Sequence, residues 1–394
     1  MSEPICLLNR LIFSLYLSRL IHHIGSMKYN WQQIDWPKFS FSTENIETLL
    51  LHFIRNTGNI EGALQAQTDF NHSETIIELL ILEAIKTSEI EGEYISRKDV
   101  ASSIRKNLGL LKSTEQVKDQ KARGIADLLI MVRNSFLDPL SKKDLLNWHR
   151  SLMSHDTTIL SGEWRKHDEP MRIISGALGK EKIHFEAPPS QNVPQEMEQF
   201  IRWFNDTAPK QPNEIAHAPI RAAITHLYFE SIHPFEDGNG RIGRALAEKA
   251  LSQTIGHNTL ISLSAAIERN KKDYYYFIER GQRKNEITEW IEYFTNTVVS
   301  AQEFTKNLIQ FTIQKTQIFD TFSKQLNESQ LKVVKRMFDE GHEGFIGGMN
   351  AEKYMRIAKV SKATATRHLS QMVEIGIFKI EGKGRATRYE IKFT

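Results

Sequence analysis

Twelve consecutive residues, His233-Pro234-Phe235-Glu236-Asp237-Gly238-Asn239-Gly240-Arg241-Ile242-Gly243-Arg244, constrain the fold of this chain more than any other stretch. They crowd a base, carboxylates, glycines, an amide and two arginines into one string. Helical patterns flank it on both sides. Before it, Pro219 suits a first helical turn, where its missing N–H costs nothing. Ile220, Ile224, Leu227 and Tyr228 then recur at helical spacing, which predicts a helix to Ile232 with a buried face. After it, Ile242, Ala245, Leu246 and Ala250 predict a second helix starting near Arg241. Residues 234–240 are therefore a loop that runs into a helix N-terminus, where free N–H groups and the positive end of the helix dipole favour an anion. Gly238 and Gly240 let the backbone turn sharply and approach a phosphate closely.

The side chains sort by chemistry. His233 can be neutral near pH 7 and take a proton from an attacking hydroxyl. Asp237 is a hard oxygen donor suited to Mg²⁺ held between phosphates, and Asn239 can hydrogen-bond a phosphate oxygen. Arg241 and Arg244 lie three apart on the new helix and share a face, where each offers a forked set of donors to phosphate. Phe235 reads as an anchor of the loop to the core. The plain alternative, a glycine-rich turn beside solvated charges, accounts for Gly-Asn-Gly but not for the order of base, acid, amide and cations.

The string resembles the motif of Fic-domain proteins, H-P-F-x-[D/E]-G-N-G-R-x-x-R, and matches every specified position. The resemblance implies a mostly α Fic fold, a helical core with a small β-hairpin flap. It implies transfer of AMP from ATP to a hydroxyl side chain of a target protein, with release of pyrophosphate; the alternatives are a nucleotide-sensing, DNA-binding regulator or a Fic enzyme with another transfer, phosphotransfer or AMP removal. His233 would be the general base and Asp237 the Mg²⁺ ligand. Gly238, Asn239, Gly240 and Arg241 would cradle the α- and β-phosphates, and Arg244 would meet the γ-phosphate. The related Doc-like kinases depart at the second glycine, which this chain keeps as Gly240.

A second motif lies upstream. Residues 74–92 predict an amphipathic helix with Ile76, Ile77, Leu79, Leu80, Leu82 and Ile85 as its apolar stripe, capped by Asn71 or Ser73. It ends in Thr87-Ser88-Glu89-Ile90-Glu91-Gly92. Thr87 and Glu91 share a face, and Gly92 sits where a helix would stop. The segment resembles the Fic family's inhibitory motif, [S/T]-x-x-x-E-[G/N]. That resemblance implies that Glu91 pairs with Arg244, takes the place of the γ-phosphate and misaligns ATP, and in some relatives the same glutamate serves AMP removal. Alignment is most of the catalysis in such transfers. Glu89 and Glu93 read as solvated.

Between the motifs, Gly162-Glu163-Trp164-Arg165 resembles the stretch that precedes the family's flap. Ile183, His184 and Phe185 alternate as a short strand ended by Pro188 and Pro189; the resemblance implies a target-docking flap, with strand addition as one mode, and a plain surface hairpin is the alternative. Tyr274 and Tyr275 match the family's paired tyrosines, as adenine-side groups or as packing. His217 and His226 read as structural.

The chain has 394 residues, enough for two or three domains. Its linear division reads as 1–26, an extension before a start at Met27; 27–125, a helical region carrying the inhibitory motif; 126–300, the catalytic core; 301–328, a helical linker; and 329–394. Trp31, Trp36 and Phe39 are expected to pack on the core. The apolar run 11–17 is too short to span a bilayer, so no membrane association is expected. One cysteine, Cys6, fits a reducing cytoplasm. A homodimer is a further expectation, from the family.

Residues 329–394 hold 13 Lys and Arg against 7 Asp and Glu, whereas the whole chain carries a net +3. Their pattern is a helix at 329–339, a second at 351–358, a turn, a third at 362–375 capped by Ser361 and stopped by Gly376, then a hairpin. This order resembles a winged helix-turn-helix. Lys362, Thr364, Thr366 and Arg367 would begin a recognition helix, and Lys383, Arg385 and Arg388 would line the wing. DNA contact across 361–388 is the corresponding expectation, with a protein–protein module as the alternative.

Overall fold

The computed structural model describes residues 28–110, 118–176, 180–341 and 344–393. Cys6, Met27 and the expected extension 1–26 lie outside the described residues, as does the side chain of Arg385. The helices are α1 (Glu47–Gln65), α2 (Asp69–Ile90), α3 (Arg97–Asn107), α4 (Gln120–Asn134), α5 (Lys142–Met153), α6 (Val193–Asp206), α7 (Ala218–Ile232), α8 (Asn239–Ile255), α9 (Leu263–Arg269), α10 (Lys271–Gly281), α11 (Thr288–Phe322), α12 (Glu328–Phe338), α13 (Ala351–Ala358) and α14 (Lys362–Glu374). Two antiparallel hairpins complete the described structure: β1 (Arg172–Ser175) with β2 (Lys182–Glu186), and β3 (Phe378–Glu381) with β4 (Arg388–Ile391). Among the described residues no helix is long and apolar enough to cross a membrane.

Among the described residues the chain divides into two compact units, one of 28–55 and 80–301, the other of 56–79 and 302–393. In the first, α7 is the central helix. All 15 of its residues are buried, polar ones included, so the face expected from Ile220, Ile224, Leu227 and Tyr228 is only part of what is covered. A helix buried all round must satisfy its polar side chains internally. Arg221 does so through Phe204 O, Gln253 Oε1 and Thr254 Oγ1 at 2.7–3.1 Å. Tyr228 is met edge-on by Trp36 and Phe39 at 5.1 and 5.6 Å, and Trp31 joins Tyr29, Ile173 and Phe185 in a smaller cluster. The three N-terminal aromatics therefore pack on this unit.

α2 begins earlier than its apolar pattern suggests. Thr68, not Asn71 or Ser73, supplies the capping hydroxyl, accepting from Asn71 N at 3.3 Å, because Asp69, Phe70 and Asn71 already form the first turn. Further along α2, the buried Glu83 carboxylate accepts from Ser262 Oγ at 2.8 Å, Ser264 N at 3.0 Å and Ser264 Oγ. These bonds fix α2 to the turn before α9.

In the second unit, residues 56–71 are tied to α11 by Asn56 with Glu303 and Lys306, Gln302 with Thr57, and Thr316 with Asn71. This pairing of distant segments follows packing, not chain order. α12, α13 and α14 are capped by Asn327, Asn350 and Ser361. The hairpin follows, with Phe378 opposite Ile391 and Glu381 opposite Arg388.

Candidate active site

The site grows from the end of α7. His233 closes that helix in the left-handed region, at φ 50°, a conformation that histidine tolerates better than bulky or β-branched residues. Its carbonyl accepts from Arg165 Nε at 2.8 Å, and the same guanidinium bonds Pro188 O, Ile232 O and Ser190 Oγ. Arg165 is 2% exposed, and burial pulls its guanidinium down to about 10. It pins the corner between α7 and the loop. The His233 imidazole turns Nδ1 toward Glu230 Oε2, 3.7 Å away. Burial would raise the Glu230 carboxyl, but His233, His226 and Arg244 around it hold it below the ordinary value.

The loop is held by two further groups. Asn239 accepts from Phe235 N and donates to Phe235 O, both at 2.9 Å. Its amide, expected on a phosphate oxygen, is thus engaged in closing the loop, and what α8 presents outward is its N-terminal backbone. Phe235 is buried as expected of an anchor, stacked on the His149 ring at a centroid distance of 3.9 Å. His149 Nδ1 accepts from Gly162 N at 2.8 Å, which leaves Nε2–H to donate to Asp237 O at 3.2 Å. Burial pulls this imidazole down to about 4, so it is neutral at physiological pH.

Arg244 lies 1% exposed on α8. Nε donates to Thr87 Oγ1 at 2.8 Å, and Nη2 donates to Thr87 O at 3.0 Å and Glu91 Oε1 at 2.7 Å. Burial alone would lower its pKa; Glu91, with Tyr274 and Glu230, drives it above the ordinary arginine value. The Glu91 carboxylate rests against Gly240, where a Cβ would overlap Oε1. The glycine of the loop is therefore also the floor of the Glu91 seat.

Gly92 takes φ 79° just beyond the helix, and Glu93 N reaches back to Ser88 O at 2.9 Å. This left-handed stop turns Glu93 onto α8 as well. Glu93, read as solvated, instead accepts from Arg241 Nη1 at 2.6 Å and from Lys121 Nζ at 2.7 Å. The reason is that the turn reverses the chain before a third acidic residue could clear the surface. Glu89, also read as solvated, is only 24% exposed and pairs with Lys86 at 2.8 Å.

Glu91, Glu230, His233, Gly240, Arg244, Tyr274 and Tyr275 line one cavity of about 470 Å³, together with Ile173, Ile174, Ser175, His184 and Phe185 of the β1–β2 hairpin. Tyr274 is buried, its hydroxyl 2.8 Å from His226 Nε2. Tyr275 is half exposed, and its hydroxyl donates to Ile90 O at 3.3 Å. The three flap residues divide their roles. Phe185 is buried against Tyr29, so it anchors the hairpin. His184 bonds Ser175 Oγ at 2.6 Å and Glu279 at 2.7 Å. Ile183, paired across from Ile174, is half-buried.

Part of the chain is similar to known proteins. The Fic/DOC family profile matches residues 139–251, and a domain of unknown function (DUF4172) matches 29–110. Two curated relatives, each called protein adenylyltransferase Fic, come from Drosophila sechellia and Drosophila yakuba. They are 28% and 30% identical over 137 residues, which is 35% of this chain and 24% of each relative. The chain thus matches about a quarter of their length. The crystal structure of a Fic domain-containing signalling protein from Bacteroides thetaiotaomicron aligns with a TM-score of 0.50 at 20% identity, over 69% of this chain and 96% of that one. This chain carries a Fic/DOC domain.

The structure brings Glu91, which lies in the segment matched by DUF4172, onto one cavity wall with His233, Gly240 and Arg244 of the Fic/DOC match. Asp237 is half exposed, with one carboxylate oxygen on Gly238 N and the other 3.4 Å from Arg241 Nη2. Among the described residues no group of three or more acidic, histidine or cysteine side chains is assembled for a metal. The exposed Asp237 carboxylate is the kind of single donor that Mg²⁺ takes when phosphates and water complete its shell. Sequence reasoning gave no role to Arg165, His149 and Glu230. Arg165 had a signal in its Gly-x-Trp-Arg context; the other two sit on helices with no motif to single them out.

Proposed function

We propose that the chain is a protein adenylyltransferase, transferring AMP from ATP to a hydroxyl side chain of a target protein and held inactive by Glu91. The observation that carries this reading is the pairing of Arg244 with Glu91 at 2.7 Å beside His233, Gly240 and the N-terminus of α8. The α8 backbone, Gly238 and Gly240 would receive the α- and β-phosphates. Asp237 would hold Mg²⁺, whose charge neutralises the phosphates. Arg241 and Arg244 would balance what charge remains. His233 would take the proton as the target hydroxyl oxygen bonds the α-phosphorus and the bond to pyrophosphate breaks. While Glu91 occupies Arg244, a γ-phosphate meets a carboxylate in place of a guanidinium, and ATP is left out of line.

The hairpin fits target docking. On β1, Arg172, Ile174 and Ser175 are exposed, with Ile174 at the cavity, where a peptide strand could add. Incubation of the chain with ATP and mass analysis of modified protein tests the reading. An adduct of the mass of AMP supports it, and one of a lone phosphate refutes it.

For the second unit, a winged helix that binds DNA is the accompanying proposal. Lys362, Thr366 and Arg367 are exposed at the start of α14, Thr364 is half-buried, and Lys383 is exposed on the hairpin. Duplex affinity should fall steeply with salt if these cations contact phosphates, and a flat dependence would leave the unit as a protein-binding module.

A further inference from the structure

Arg241 is 3% exposed, yet its guanidinium is poorly satisfied. Nη2 has only distant partners, Asp237 Oδ2 at 3.4 Å and Met153 Sδ at 3.6 Å. Nε has none among the described residues. A buried guanidinium carries five donors and normally fills them. The one strong bond it has is to Glu93, at 2.6 Å. That carboxylate is 19% exposed and shared with Lys121 at the start of α4.

We propose that Glu93 is a second, separable block on the nucleotide site: it holds Arg241 in place of the α- and β-phosphates, as Glu91 holds Arg244 in place of the γ-phosphate. The inference rests on the adenylyltransferase reading and goes beyond it, because it assigns control over nucleotides that lack a γ-phosphate. Both carboxylates leave the same turn. Gly92 separates them, and its left-handed φ of 79° turns the chain so that Glu93, like Glu91 before it, meets an arginine of α8. The two arginines lie three apart on α8, so the acidic pair and the cationic pair meet residue for residue. Glu93 also bridges to Lys121, so movement of α4 would act on Arg241 without touching Arg244. Release of the site then has two steps.

ADP isolates the second step, since it has no γ-phosphate to meet Arg244. Binding of ADP and of ATP, each with Mg²⁺, is measured by calorimetry on the full chain as wild type, Glu91→Gln and Glu93→Gln. Glu93→Gln keeps the shape and removes the charge. It should bind both nucleotides about tenfold more tightly than wild type, the effect of one competing ionic contact. Glu91→Gln should gain for ATP alone. Thermal melts of the same proteins check folding: Glu93→Gln should melt lower without nucleotide and be raised further by ADP than wild type. If ADP affinity in Glu93→Gln stays within twofold of wild type while ATP binds, the second block is refuted and the adenylyltransferase reading stands. If no form binds either nucleotide, that reading falls and the inference with it.

Discussion

Replacing Asn239 by Ala separates two roles for its amide, loop closure and phosphate contact. In the folded chain the amide satisfies both the N–H and the C=O of Phe235, each at 2.9 Å. Phe235 is 0% exposed, so water cannot replace either bond. Stranding two buried backbone groups at roughly 1.5 kcal/mol each costs about 3 kcal/mol. That is about a hundredfold in the equilibrium for local opening of the loop. Amide hydrogen exchange read at Phe235, without nucleotide, is the direct assay, since it reports local opening of the loop itself. Exchange at Phe235 should accelerate about a hundredfold, with little change at α14 in the other unit. Exchange unchanged within threefold would show that the amide does not hold the loop, and the phosphate role would be restored to it.

Two further outcomes follow from the same framework. His149 has a folded pKa of about 4 against an ordinary 6.5. The unfolded chain therefore binds the proton first, and the stability this ring contributes is intact above about pH 6.5 and lost progressively toward pH 4. The loss approaches about 3 kcal/mol. The melting temperature of His149→Gln should depend less on pH across that window than wild type, and equal slopes would contradict the assignment. Arg165→Lys replaces a fork that reaches four acceptors by a single ammonium that cannot span them. Two lost charged bonds cost about 4 kcal/mol, a fall in melting temperature of about 10 °C for a unit of this size. Thermal melting checks it, and a fall under 3 °C would show that the corner is held some other way.

The string 233–244 was legible as a loop running into a helix N-terminus, because its glycines and the apolar periodicity on either side set that geometry. The helices before and after it were legible for the same reason, and so was Phe235 as an anchor. The side-chain roles of Asn239 and Glu93 were not. An amide near phosphate and an amide closing a turn use the same residue at the same place, and only the positions of Phe235 N and O decide. Glu93 was unreadable because its partner lies 148 positions away on α8, and the turn at Gly92 that brings them together has no signature beyond the glycine itself. His149 and Arg165 act by holding backbone carbonyls, which exist at every position, so beyond the Gly-x-Trp-Arg context of Arg165 neither role leaves a mark in sequence. The discontinuous units were hidden for a related reason: the bonds from Asn56, Thr57 and Asn71 to α11 span about 245–250 residues.

The most direct test of the central claim is label transfer from α-labelled ATP with Mg²⁺, compared among wild type, Glu91→Gly and Glu91→Gly combined with His233→Ala. Removing Glu91 leaves Arg244 its two bonds to Thr87 and would free the position that the proposal gives to the γ-phosphate. Strong labelling of protein by Glu91→Gly, weak labelling by wild type and none by the double variant is the predicted result. Equal labelling by wild type and Glu91→Gly, or labelling that survives His233→Ala, would contradict the account.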